Sequence, residues 1–175
     1  PNAAPKILNR PHTVTALVEI PDGGAEGVLV SQGGVEGGFV FYVQDGKLRY
    51  SYNYVADQYF DIVSEHDVTA GSHALSFEFE PTGTPSPREG LGAPGDLTLF
   101  VDGQPVGSGV LPVTIPIMLG LASGVSIGAD AGAPVIDGYA PPFSFTGTID
   151  RVVYDVSGEH IPDHEAEIRA ALARQ

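Results

Sequence analysis

The chain has 175 residues, with 23 glycines, 15 prolines and no cysteine. Its formal net charge of −14, from 22 acidic against 8 basic residues, excludes nucleic acid and anionic membrane surfaces as partners, since both need clustered Lys and Arg. Without cysteine there are no disulfides, thiolate zinc sites or cysteine nucleophiles, and no apolar run approaches the roughly 20 residues of a membrane span.

This length suits one domain with one core. Glycine and proline recur too often for long helices before the C-terminal tail, so the composition predicts an all-β chain of short strands. Nothing in it assigns a compartment; cytoplasmic and exported locations both remain open.

Residues 1–11 lack an initiator methionine and read as a linker from a missing N-terminal domain. The sandwich itself is expected over 12–156. "HTVTALVEI" alternates, with Val14, Ala16, Val18 and Ile20 on one face and Thr13, Thr15, Leu17 and Glu19 on the other. "GVLVSQGG" and "GFVFYV" are nearly continuous apolar runs of strand length, which predicts burial on both faces.

Asp45-Gly46 separates "FVFYVQ" from "KLRYSYNYV" and predicts a type I′ hairpin, because both central positions need positive φ. In "YSYNY" the tyrosines Tyr50, Tyr52 and Tyr54 share one face. Such a row is either core or a carbohydrate platform. Because the same face begins with Leu48, the pattern favours core, with Arg49, Ser51 and Asn53 facing outward.

"YFDIVSE" and "HALSFEFE" follow as strands, the second with Glu78 and Glu80 on a wet face. Residues 81–96, "PTGTPSPREGLGAPGD", read as a long exposed loop insertion. A second hairpin turns at Asp102-Gly103, "VSIGAD" gives a further strand, and the last strand is expected from Phe143 to Val156. Residues 157–175 read as a short helical tail capped by Asp163. The fold class is therefore a two-layer antiparallel β-sandwich or jelly roll with a short C-terminal helix.

Few motifs carry chemistry. "GVSIG" places Ser126 in a G-x-S-x-G pattern, but the nucleophile elbow needs a following helix, and "ADAGAP" does not start one. His160 and His164 are four apart with Pro162 between them and no third ligand. Asp130 in "GADAG" and Asp137 in "VIDGY" are the candidates for a structural calcium ion, which takes carboxylate and backbone oxygens from tight loops; the competing reading is ordinary turn residues. No pair of facing carboxylates with glycosidase spacing is evident, and no catalytic residue is assigned.

Read together, "LNRPHTVTALVEIPDGGAEGVLVSQGGVEGGFVFYVQDGKLRYSYNY" and "VSIGADAGAPVIDGYAPPFSFTGTIDRVVYDV" resemble the C-terminal region of a group of large bacterial arylsulfatases, over roughly residues 8 to 156. That resemblance implies a concanavalin A-like or laminin-G-like jelly roll appended to an alkaline-phosphatase-like catalytic half. It implies formylglycine, made within C/S-x-P-x-R, and calcium in that half alone. "TPSPR", from Thr84 to Arg88, begins with Thr and departs from the motif, so this chain requires no cofactor of its own. The implied role is a non-catalytic accessory domain that packs on the sulfatase half of the same polypeptide, shapes its entrance or mediates homo-oligomer contacts. The alternative is an independent carbohydrate-binding module, with Tyr50, Tyr52 and Tyr54 on a glycan and Asp130 and Asp137 at a calcium rim.

Overall fold

The computed structural model describes residues 4–117 and 124–158. Ten strands lie among them: β1 (His12–Ile20), β2 (Gly27–Gly34), β3 (Gly37–Gln44), β4 (Lys47–Tyr54), β5 (Gln58–Asp67), β6 (Gly71–Pro81), β7 (Gly95–Val101), β8 (Gln104–Leu111), β9 (Val125–Ile127) and β10 (Thr148–Asp155). They form two five-stranded sheets, ordered β10-β1-β6-β7-β8 and β5-β4-β3-β2-β9. Every strand pairing within them is antiparallel.

The local signals explain the register. Asp45 (φ 53°) and Gly46 (φ 75°) supply the two positive φ angles that turn β3 into β4, and Asp102 (φ 51°) and Gly103 (φ 79°) do the same between β7 and β8. Once those turns are set, period-2 alternation decides which side chains meet. Val14, Ala16, Val18 and Ile20 of β1 join Leu75, Phe77 and Phe79 of β6 on one inner face. Phe39, Phe41, Leu48, Tyr50 and Tyr52 form the opposite one.

Phe77 is the hub of this core. Its ring lies 5.3 Å from Phe39 and 5.1 Å from Phe41, both edge-on, and 4.8 Å from Tyr50, while Phe39 and Tyr50 stack at 5.6 Å. Edge-to-face and offset contacts of this kind stabilise by about 1 kcal/mol each beyond the area they bury. Where β2 meets β3, Gly33 faces Gly38. A Cβ on Gly38 would sit 2.0 Å from the Gln32 carbonyl oxygen, so the strands close there only without side chains.

Four features differ from the sequence-based expectation. Ser51 and Asn53 do not face solvent. The segment from 129 to 145 crosses the outer face of the second sheet and builds a second apolar cluster of Val28, Val40, Tyr42, Val135 and Tyr139, flanked by Ile136 and Phe143. Both polar residues are fully buried beside it.

Residues 81–96 are not a free loop either. The Thr82 N–H donates to the Pro94 carbonyl, Ser86 bridges Leu91 around a 3₁₀ turn at Pro87–Glu89, and Ala93 is fully buried. Residues 7–11, expected within a linker, belong to the sandwich. Ile7 enters the core, and Asn9 accepts from the Ala93 N–H at 2.9 Å and donates to the Pro116 carbonyl at 2.9 Å. Finally, β10 starts at Thr148 and not at Phe143, because Phe143 to Thr146 spend their backbone bonds on Val28, Gly128 and Glu26. The tail helix, His160 and His164 lie outside the described residues.

Candidate functional site

The outer face of the second sheet is only partly covered, and its uncovered strip is the candidate site. β5 alternates so that Ile62 and Ser64 turn inward while Tyr59, Asp61 and Val63 turn outward. Antiparallel pairing sets Tyr59 opposite Asn53, Asp61 opposite Ser51 and Val63 opposite Arg49. Because the crossing segment stops over Ile136 to Gly138, these residues remain beside its edge. An open groove of about 430 Å³ results, lined among others by Tyr42, Arg49, Tyr59, Asp61, Val63 and Asp137.

Hydrogen bonds fix its walls. Gln44 Nε2 donates to the Gly138 carbonyl at 3.1 Å, which ties the crossing segment to the end of β3. Ser51 Oγ donates to Asp61 Oδ1 at 2.5 Å and lies 3.0 Å from the Tyr42 hydroxyl, so a chain of three polar groups runs from the buried cluster to the groove. Burial pushes the Tyr42 pKa up; the Ser51 bond and the Arg49 charge oppose that and the Asp61 charge adds to it. The phenol therefore keeps its proton at neutral pH. Arg49 donates through Nε to the Gln44 carbonyl at 3.0 Å and faces Asp45 at 3.8 Å.

Tyr59 is 49% exposed, the most open aromatic ring among the described large hydrophobics. An amphipathic ring beside fixed polar groups at the mouth of a groove is the composition of a small-ligand site. Sequence reasoning passed over Tyr59, Gln44 and Asp61. The alternation in "QYFDIVSEHD" could have separated Tyr59 from the inward row, but nothing local reveals which part of a face a distant loop leaves open.

The residues singled out from sequence fall elsewhere. Tyr50 and Tyr52 are core residues, 2% and 4% exposed, and they offer no platform: their rings are spent on packing between the sheets. The Tyr52 hydroxyl accepts from the Ile115 N–H at 2.9 Å. Tyr54, at the sheet margin, donates to the Gly90 carbonyl at 2.6 Å. Ser126 lies in β9 opposite Ser31, followed by bends and not by a helix, so the elbow geometry is absent. Glu78 and Glu80 are exposed on the outer face of the first sheet.

Asp130 and Asp137 do not converge on a common solvent-facing site. Asp130 is buried, with Oδ2 accepting from the Tyr139 hydroxyl at 2.5 Å, whereas Asp137 is exposed beside the groove. The other Asp130 oxygen, Oδ1, lies 3.4 Å from the Gly132 N–H. Among the described residues no group of three or more His, Cys, Asp or Glu could hold a metal, and no helix there is long and apolar enough to cross a membrane.

A second concavity of about 400 Å³ lies on the first sheet around Glu19, His73, Asp102 and Asp150. It lacks a Phe, Tyr or Trp ring, and its histidine is already engaged. Nδ1 faces Asp102 Oδ2 at 2.7 Å and Nε2 faces the Thr69 carbonyl at 2.8 Å.

No family model and no curated protein sequence matches the chain. Solved structures do. Domains LG4-5 of the mouse laminin alpha1 chain match with a TM-score of 0.60 at 11% identity, over 90% of this chain and 38% of that one. The CBM40 of the Ruminococcus gnavus IT-sialidase, bound to alpha2,3 sialyllactose, matches with a TM-score of 0.55 at 14% identity, over 90% and 80%. A heptameric SAP-like pentraxin from Limulus polyphemus matches at 0.49 with 13% identity, over 84% and 64%. The chain thus spans less than two thirds of the pentraxin and of the laminin fragment. Identities this low speak to architecture alone. With two antiparallel sheets packed face to face, the chain is a jelly-roll β-sandwich of the concanavalin A-like, laminin-G-like fold.

Proposed function

We propose that this chain is a non-catalytic glycan-binding module and that its sugar docks in the groove beside Tyr59. The observation that carries this reading is half-exposed Tyr59 in one groove with Arg49 and Asp61 of the same sheet face and Asp137 of the crossing segment. A pyranose offers one apolar C–H face and a rim of hydroxyls. An exposed phenol ring receives the former, and fixed carboxylate and guanidinium groups receive the latter. The groove volume of about 430 Å³ falls in the range of small-ligand pockets. That the similar Ruminococcus gnavus IT-sialidase CBM40 holds alpha2,3 sialyllactose supports sugar binding on this architecture by analogy of fold, and not the class of sugar bound.

A glycan array followed by calorimetry on the best binders tests this. Tyr59→Ala is expected to weaken those glycans roughly tenfold or more at unchanged melting temperature. An array without binders, or binding indifferent to Tyr59→Ala, overturns the reading.

A compatible second reading rests on the sequence resemblance to bacterial arylsulfatases alone: this module follows a sulfatase catalytic half and packs on it. Its test is the reading frame upstream of Pro1. A long extension carrying C/S-x-P-x-R is expected, and a start site immediately upstream would sink it.

A further inference from the structure

We infer that the groove beside Tyr59 selects uncharged sugars and rejects sulfated, sialylated and uronic-acid glycans. The inference rests on the glycan-binding reading above and names the ligand class of that site. It follows from the balance of acceptors and donors around the ring. Asp61 and Asp137 are two carboxylates, and when ionised a carboxylate only accepts hydrogen bonds. On the donor side, one Gln44 amide N–H is committed to the Gly138 carbonyl and the Arg49 Nε–H to the Gln44 carbonyl, which leaves the terminal nitrogens of Arg49 as the charged donors facing two carboxylates.

Positive charge is outnumbered. Arg49 is the one basic residue lining the groove, and its guanidinium faces Asp45 at 3.8 Å. Lys47, two residues away on the same strand face, is held by Asp67 at 3.0 Å and donates to the Glu65 carbonyl at 3.0 Å. Sulfate and carboxylate groups bring acceptors and negative charge to a place that already has an excess of both. Sugar hydroxyls bring donors, which Asp61 and Asp137 can take. The same sign of charge over the whole chain, −14 formally, repels polyanionic glycans at longer range.

The test uses matched pairs on the intact chain: lactose against 3′-sialyllactose, and N-acetyllactosamine, cellobiose and xylobiose against their sulfated derivatives. Affinities are measured by calorimetry at low and high salt, on the native chain, on Tyr59→Ala, and on Asp61→Asn with Asp137→Asn. The neutral member of a bound pair is expected to bind roughly tenfold or more tighter. High salt should narrow the gap, and the double Asn variant should shrink it by admitting the anionic partner. Anionic sugars binding as tightly as neutral ones, with both abolished by Tyr59→Ala, would overturn the selectivity and leave the glycan-binding reading intact. Absence of any binding sensitive to Tyr59→Ala, in either class, overturns both.

Discussion

The Tyr139 hydroxyl donates to Asp130 Oδ2 at 2.5 Å, and this bond closes the segment that crosses the outer face of the second sheet. Its neighbours complete the closure. The Val135 N–H reaches the same hydroxyl at 3.3 Å, the Asp130 N–H donates to the Pro142 carbonyl at 2.7 Å, and the Tyr139 ring stacks on Phe143 at 5.3 Å. Tyr139→Phe keeps the ring and leaves a buried carboxylate without that donor. The expected loss is about 1–3 kcal/mol in urea unfolding. A double-mutant cycle with Asp130→Asn should return a coupling energy of similar sign, and additivity would show that the bond does not hold the segment.

Asn53 joins the same segment to two tight turns. Its amide donates to the Val135 carbonyl at 2.8 Å and the Val35 carbonyl at 3.1 Å, and its Oδ1 accepts from the Ala56 N–H at 2.8 Å. That last bond steadies a turn in which Val55 and Ala56 both have positive φ, a conformation that side chains with Cβ adopt at some cost. Asn53→Ala is expected to destabilise by about 2–4 kcal/mol, since it strands several buried groups together. Asn53→Asp should be worse, because it turns an anion toward two carbonyl oxygens. A loss within experimental error for either variant contradicts the role.

These two residues also mark where sequence reading stops. The hairpins at Asp45-Gly46 and Asp102-Gly103, the inward row of β1 and the double burial of β2 and β3 were legible, because turn chemistry and period-2 alternation are local. Asn53 and Ser51 were assigned to solvent by the same alternation. The assignment fails because the cover arrives from about eighty residues away, through "DAGAPVIDGYAPPF", whose glycines and prolines show no periodicity. Tyr59 escaped notice for the complementary reason. Its exposure depends on where that cover ends.

Calcium provides a separate check on the Asp130 environment. A ligand that binds only the folded state raises the melting temperature with its concentration. Since Asp130 is already committed to Tyr139, millimolar calcium is expected to leave thermal unfolding unchanged against a chelator control. A rise that disappears in Asp130→Asn would show that the ion binds through Asp130 and would restore the calcium reading of Asp130 and Asp137.

Two histidines should give stability a pH profile with opposing limbs. His12 is enclosed by Phe77 and Phe79, with ring centroids 6.0 and 5.3 Å away, and its Nδ1–H donates to the Arg10 carbonyl at 2.9 Å. Burial pushes its pKa down to about 4; the Arg10 carbonyl opposes the shift and the Arg10 charge adds to it. The unfolded chain therefore takes up the proton first, near pH 6.5, and stability falls from there as pH drops toward 4. The loss amounts to about 3 kcal/mol and flattens below the folded pKa. His73 runs the other way. Both its ring nitrogens face acceptors, and the bond to Asp102 raises its pKa, so its contribution is present below pH 6.5 and lost as pH rises through the raised value. Half-exposure of Asp102 to solvent keeps that second contribution small. Urea titrations from pH 4 to 8 on His12→Asn and His73→Gln separate the two. His12→Asn should flatten the acid limb and His73→Gln the limb above neutrality; an acid limb unchanged in His12→Asn would assign it to the carboxylates instead.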